Sequence, residues 1–175
     1  MIREIIIYPD KRLKKISAKV EVFDKELHAL LDDMYETMVD KNGVGLAAIQ
    51  IGVPQRVLII NVPLENVAEG EPDQPKENTL EIINPVILEK SGSTLYQEGC
   101  LSVPGFYEDI ERYQSIKIDY QDRYGTLHSL EDDEFLAIAI QHEMDHLEGK
   151  IFVEKLSYIK RKKFEKEWRK RQKAS

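Results

Sequence analysis

Two histidines four residues apart, with a glutamate following the first, offer this chain its clearest chemistry: Gln141-His142-Glu143-Met144-Asp145-His146. On a helix, positions i and i+4 share a face, so His142 and His146 can address one metal ion. Glu143 lies about 100° further round. That sets a carboxylate beside the metal rather than on it, where it can take the proton of a water the metal activates. The preceding run Phe135-Leu136-Ala137-Ile138-Ala139-Ile140 is apolar on every side, as in a buried helix. Imidazoles and a carboxylate buried there are costly without a partner, and a metal is one.

A catalytic metal takes three protein ligands and keeps a position open. The extended pattern H-E-x-x-H-x-x-G-x-x-H fails here, because Phe152 stands where its third histidine belongs. His28 and His128 read as ordinary helix and strand residues, and Glu154, Glu165 and Glu167 are poorly placed. Cys100 remains, in Gln97-Glu98-Gly99-Cys100-Leu101-Ser102-Val103-Pro104-Gly105. A thiolate suits soft or borderline metals, although a lone cysteine reads equally well as a small buried hydrophobe. Gly99 allows a close backbone approach, and Pro104-Gly105 is expected to turn the chain away. A third segment, Asn42-Gly43-Val44-Gly45-Leu46-Ala47-Ala48-Ile49-Gln50, matches G-x-G-x-x-A on paper. A dinucleotide site needs a strand before it, and here a helix precedes it, so that reading is discarded. The glycines instead suit an extended backbone beside a ligand. Gln50 can donate an amide N–H to an oxyanion or satisfy a buried backbone group, and composition favours the second.

These residues need elements to position them. Asp24 caps a helix whose apolar residues Leu27, Leu30, Leu31, Met34, Tyr35 and Met38 fall at helical spacing, ending near Asn42-Gly43. Val57–Val62 and Leu80–Asn84 read as strands, joined by an acidic, exposed and mobile loop from Leu64 to Thr79. Ser115–Tyr120 alternates, Asp122–Gly125 turns, and Thr126–Leu130 returns as a hairpin strand. Glu131, Asp132, Asp133 and Glu134 open the histidine helix, suiting its dipole, and Gly149 ends it. Ser157 caps a last helix over about 157–173, with Ile159, Phe164 and Trp168 available for packing. No repeat or linker divides the chain. The expectation is a single domain over 1–175 of the α+β class, antiparallel or mixed sheets around a central metal-binding helix, with N- and C-terminal helices.

The chain has 175 residues, enough for one domain with a real core. No apolar stretch approaches the ~20 residues of a membrane helix, and the first nine residues do not read as a targeting peptide. One cysteine excludes an internal disulfide and fits a reducing compartment. The net charge of −7 is uneven: residues 160 to 173 hold nine Lys/Arg against Glu165 and Glu167, leaving the rest 16 Lys/Arg against 30 Asp/Glu, a net −14. The C-terminus could meet a polyanion; a solvated helix face would read the same.

Together the segments resemble the peptide deformylase family, which carries G-φ-G-L-A-A-x-Q, E-G-C-L-S and Q-H-E-x-D-H-L, φ being apolar. Here these are Gly43 to Gln50, Glu98 to Ser102 and Gln141 to Leu147, in the same order, and the likeness runs from about Ile5 to Ser157. It implies removal of the N-formyl group from the initiator methionine of nascent chains, with release of formate; the N-terminus and the single cysteine point to the cytoplasm, and nothing in the sequence demands more than a monomer. It implies Fe²⁺ on Cys100, His142 and His146, with Zn²⁺, Ni²⁺ or Co²⁺ able to substitute. Glu143 would move protons, while Gln50 and the backbone N–H of Leu101 would hold the oxyanion. Val44, Gly45, Glu98, Gly99, Ile138 and Ala139 would bind substrate. The basic C-terminal helix could dock on ribosomal RNA. Three departures stand out: Tyr107 occupies a place where many members have arginine, Ala139 one where some have cysteine, and the acidic loop is longer than in compact members. Two readings compete: a zinc metallopeptidase, which needs neither Cys100 nor Gln50, and an RNA-binding module with a structural metal, which needs a fourth protein ligand.

Overall fold

The computed structural model describes residues Met1–Ala174, so Ser175, the last residue of the expected domain, lies outside it. In chain order its main elements are α1 (Lys25–Asp40), β1 (Gly45–Ala47), β2 (Val57–Ile60), β3 (Leu80–Ser91), β4 (Thr94–Cys100), β5 (Val103–Arg112), β6 (Ser115–Gln121), β7 (Leu127–Asp132), α2 (Phe135–Leu147) and α3 (Tyr158–Ala174). Five strands form one antiparallel sheet in the order β1-β2-β3-β6-β7, and β4 and β5 form a separate hairpin.

The run Val57-Leu58-Ile59-Ile60 shows why the large sheet lies between helices. Val57 and Ile59 pack with Leu27, Leu30, Leu31, Met34 and Met38 of α1. Leu58 and Ile60 point the other way, onto Ala137, Ile140 and Leu147 of α2. A strand buried on both faces needs no polar alternation. A third cluster joins Val103 and Ile110 of the hairpin to Leu13, Phe152, Phe164 and Trp168. Asp24 caps α1 by accepting from the N–H of Leu27 at 3.1 Å, and Gly149, at φ 70°, follows the end of α2.

Several expectations are corrected. The hairpin β4–β5 is not announced by alternation, because its exposed faces carry tyrosines and leucine as well as charges. Its turn lies at Leu101–Ser102, and Pro104-Gly105 sits inside β5. Glu131 and Asp132 belong to β7 rather than opening α2. Asp132 still serves the helix, its Oδ2 accepting from the N–H groups of Glu134 and Ala137. Ile159 is 80% exposed, so Phe164 and Trp168 alone of the three apolar candidates seat α3. The Leu64–Thr79 connection is exposed along most of its length but tied at its base, by Leu64 N–H to the Asp73 carbonyl at 2.7 Å and by a buried Gln74.

Candidate metal centre and cleft

α2 carries His142 and His146 on the face that turns towards the β4–β5 hairpin, and β4 ends at Cys100. The ligand atoms of Cys100, His142 and His146 all lie within 4.8 Å of one another. The distance from Cys100 Sγ to His146 Nε2 is 3.5 Å. A tetrahedral ion with ordinary metal–sulfur and metal–nitrogen bonds would separate two such ligands by roughly 3.6 Å. One sulfur and two imidazole nitrogens, mostly buried, therefore fit a borderline divalent metal. No fourth His, Cys, Asp or Glu joins them among the described residues, so the set is that of an open site rather than a closed structural one. His28 and His128 stand apart, bonded to the Arg123 carbonyl and to Asp122.

The two histidines are held differently. His142 Nδ1 bonds Glu98 Oε1 at 2.7 Å, which leaves Nε2 for a metal. Glu98 is itself gripped bidentately by Arg112, both contacts at 2.8 Å, and Arg112 also donates to Asp145 of α2. Burial works to raise the pKa of Glu98, but Arg112 and His142 outweigh it and hold the carboxyl below its ordinary value. Burial likewise disfavours charge on His142, yet its bonds to Cys100 and Glu98 raise its pKa. His146 is lowered, by burial first and then by His142 and Arg112. Its Nδ1 is buried without a hydrogen-bond partner among the described residues.

Glu143 is 4.0 Å from His142 Nε2 and is 5% exposed. Burial pushes its pKa up to about 7, with the cationic His142 pulling the other way. Such a carboxyl can accept and return a proton near neutrality. Gln50 sits in a short 3-10 turn after β1. Its Oε1 accepts from Ala47 N–H at 2.9 Å, which fixes the flip of the amide. Nε2 is thereby turned to the site, 3.0 Å from Ser102 Oγ and 3.5 Å from Cys100 Sγ.

Glu98, Cys100, His142 and Glu143 open on one cleft of about 700 Å³, within the range of small-ligand sites. Val44, Gly45, Gly99, Leu101, Ile138 and Ala139 line it, as do Tyr107 and the side chains Tyr96 and Phe135. Glu98 lines it too, but its two oxygens are committed to Arg112 and His142, which suits orienting a histidine better than touching substrate. Arg112 was not singled out by the sequence. The one available signal was an arginine in a strand otherwise ending among acidic residues, and nothing local distinguishes that from a surface charge.

The family model of polypeptide deformylase matches residues 2–162. The chain belongs to the peptide deformylase family. A peptide deformylase of Wolinella succinogenes is 57% identical over 171 residues, covering 98% of each chain. A crystal structure of a peptide deformylase from Legionella pneumophila superposes with a TM-score of 0.87 at 40% identity, covering 99% of this chain and 98% of that one. Another, from Acinetobacter baumannii and with Met-Ala-Ser bound, gives 0.79 at 35% identity, covering 89% and 99%. The antiparallel α+β fold is thus that of the family, and the reaction is removal of the N-formyl group from new polypeptides. No described helix is long and apolar enough to cross a membrane.

Proposed function

We propose that the cleft hydrolyses the formyl amide of an N-terminal formyl-methionine by the groups assembled at the end of β1. The observation that carries this is the convergence of Cys100, His142 and His146 beside a buried Glu143 and a pre-oriented Gln50 amide. Cys100, His142 and His146 would hold one divalent ion, Fe²⁺ in the cell, with Zn²⁺, Ni²⁺ or Co²⁺ as substitutes. When bound, the ion supplies Lewis acidity that activates water at neutral pH. Glu143 accepts the water's proton and returns it to the departing amine. Gln50 Nε2 and the Leu101 N–H donate to the oxyanion that develops on the formyl oxygen; one such donor is typically worth ~3–4 kcal/mol. Glu98, fixed by Arg112, orients His142.

The methionine side chain fits the apolar wall of Val44, Ile138 and Ala139. The rest of the peptide adds along β1, an edge strand of the sheet, and beside Gly99. One chain supplies every group, so a monomer suffices, and the cytoplasm is where such nascent chains emerge. The exposed lysines of α3 offer a surface for ribosomal RNA. Truncating α3 would strip buried Phe164 and Trp168, so Lys162, Lys166 and Lys170 changed together to Glu are the better probe. Unchanged ribosome binding at low salt would remove that part of the proposal. The chemistry is tested by formate release from formyl-Met-Ala-Ser with anaerobically Fe²⁺-loaded protein and Glu143→Ala as control. Release by the wild type alone supports the roles given; equal release by both would overturn that of Glu143.

A further inference from the structure

Gln74 is the only buried residue between Leu64 and Thr79, at 7% exposure. An exposed connection has no need to bury a primary amide, and doing so is costly unless the amide is bonded. Here both its protons are used. Nε2 donates to the Gly43 carbonyl and to the Asn61 carbonyl, each at 2.8 Å. Asn61 closes the clasp from the other side. Its N–H donates to the Val44 carbonyl at 2.8 Å, and its Nδ2 to the Pro75 carbonyl and Thr79 Oγ1 at 2.9 and 3.0 Å. The Gln74 carbonyl accepts from the Tyr35 hydroxyl. Gly43 is closely packed as well: a Cβ on it would meet Leu101 Cδ1 at 2.7 Å.

The place held in this way has a meaning along the cleft. β1 runs from Gly45 towards Gln50, whose Nε2 lies beside Cys100. Glu143 lies against Gly45, where a Cβ would meet its Oε1 at 2.9 Å. A peptide with its formyl group at that end, extended along the free edge of β1, therefore runs antiparallel to the strand. At about 3.4 Å per residue, its second and third residues pass Val44 and Gly43, which line the cleft together with Asn42 and Lys41 beyond them. Gln74 does not line it; it stands behind the wall.

We infer that Gln74 is a positioning residue, holding the Gly43–Val44 main chain for the peptide residues that follow the methionine. It sets how much a longer peptide gains over formyl-methionine alone. This rests on the proposed placement of the peptide along β1. The test compares kcat and KM for formyl-Met-Ala-Ser and for formyl-Met amide in three proteins. These are the wild type, Gln74→Met, which keeps length and burial but deletes both donors, and the milder Tyr35→Phe. With both donors to the Gly43 and Asn61 carbonyls deleted, the tripeptide's advantage in kcat/KM should fall roughly tenfold in Gln74→Met. The fall should lie in KM and be accompanied by faster hydrogen exchange at Gly43–Leu46. Tyr35→Phe should show the same pattern a few-fold weaker, and it decides the matter if Gln74→Met does not fold. Equal losses on both substrates, or a tripeptide advantage that survives in the folded variants, would overturn the inference alone. A wild type with no tripeptide advantage would overturn the placement along β1, and the inference with it.

Discussion

The two walls of the cleft are built by different physics. One is the β1 and α2 side, where Leu46, Ala47, Ile49, Ala137 and Ile140 are at most 1% exposed and pack against a five-stranded sheet. It carries His142, His146, Glu143 and Gln50. The other is the two-stranded β4–β5 hairpin, too small to have a core of its own. It carries Cys100, Leu101, Gly99 and an exposed Tyr107. It is anchored from outside: Arg112 joins Glu98 to Asp145 across the gap, Phe106 lies against Phe164 with ring centroids 4.4 Å apart, and Val103 and Ile110 join the cluster around Leu13 and Phe152. Close packing makes the first wall unyielding. The second can be moved one contact at a time, and one of the three candidate metal ligands, Cys100, comes from it.

Removing one functional group from each wall should therefore fail in different ways. Glu143→Ala should lower kcat by about 10²–10⁴-fold while the metal stays bound. Cys100→Ser should lose metal as well as activity. Retention of metal by Cys100→Ser, measured by elemental analysis after dialysis, would return the site to a two-histidine peptidase. The pH profile sharpens the point. Burial raises Glu143 from 4.5 to about 7, and a bound cation favours its ionised form. Since the base must be ionised, kcat/KM should fall as pH drops, with an apparent pKa between those values; an acid limb above 7 would exclude Glu143 as the group titrating.

Arg112→Met attacks the seam between the walls. It leaves Glu98 buried without its main partner, a situation that typically costs 3–5 kcal/mol. It also frees His142 to reorient, for which about a 10–100-fold loss of metal affinity is expected. Glu98 is held below 4.5 despite its burial. Its stabilisation is present above 4.5 and is lost as pH falls through the depressed value. In Arg112→Met the carboxyl protonates at higher pH, so that acid-side loss of stability should disappear, as urea unfolding between pH 3 and 7 would show. Unchanged stability and metal affinity would mean that the seam is held by the apolar cluster alone.

The same contrast governs what could be read from the chain. The wall built of apolar pattern was legible: α1, β2, the metal helix and its two histidines follow from periodicity and a helical i, i+4 spacing. Cys100, Gln50 and Leu101 were legible only through the resemblance of three motifs, because a lone cysteine and a lone amide carry no periodic signal. The hairpin was not foreseen, and neither were Arg112 or Gln74. Arg112 is 14 residues from Glu98 and 33 from Asp145, and Gln74 is 31 from Gly43. Long-range polar pairs leave no local trace, since an arginine or glutamine in an acidic stretch looks the same whether solvated or buried. Glu98 was expected among the substrate-binding residues; it does line the cleft, and only its partners reveal its bond to His142.

One substitution made on both walls gives the smallest and sharpest comparison. At Gly45 an alanine Cβ would meet Glu143 Oε1 at 2.9 Å and Cγ at 3.1 Å. Glu143 is 5% exposed and borders the cleft, so its carboxylate can yield only by leaving the position it holds beside His142. At Gly99 the Cβ would meet Tyr107 Cε1 even closer, at 2.5 Å, but Tyr107 is 63% exposed and its ring can swing into solvent. Contact distance alone ranks Gly99→Ala as the worse change; the compliance of the neighbour reverses that order. Gly45→Ala should lower kcat by about 10-fold through displacement of Glu143, the proposed general base, about 1.4 kcal/mol in the barrier. Gly99→Ala should leave kcat within about twofold and alter KM only a few-fold, the barrier term being a fraction of 1 kcal/mol. Steady-state kinetics on formyl-Met-Ala-Ser decides between them. A larger kcat loss at Gly99 would show that the hairpin wall is as rigid as the sheet wall, and that Tyr107 is fixed in place by more than its contact with Gly99.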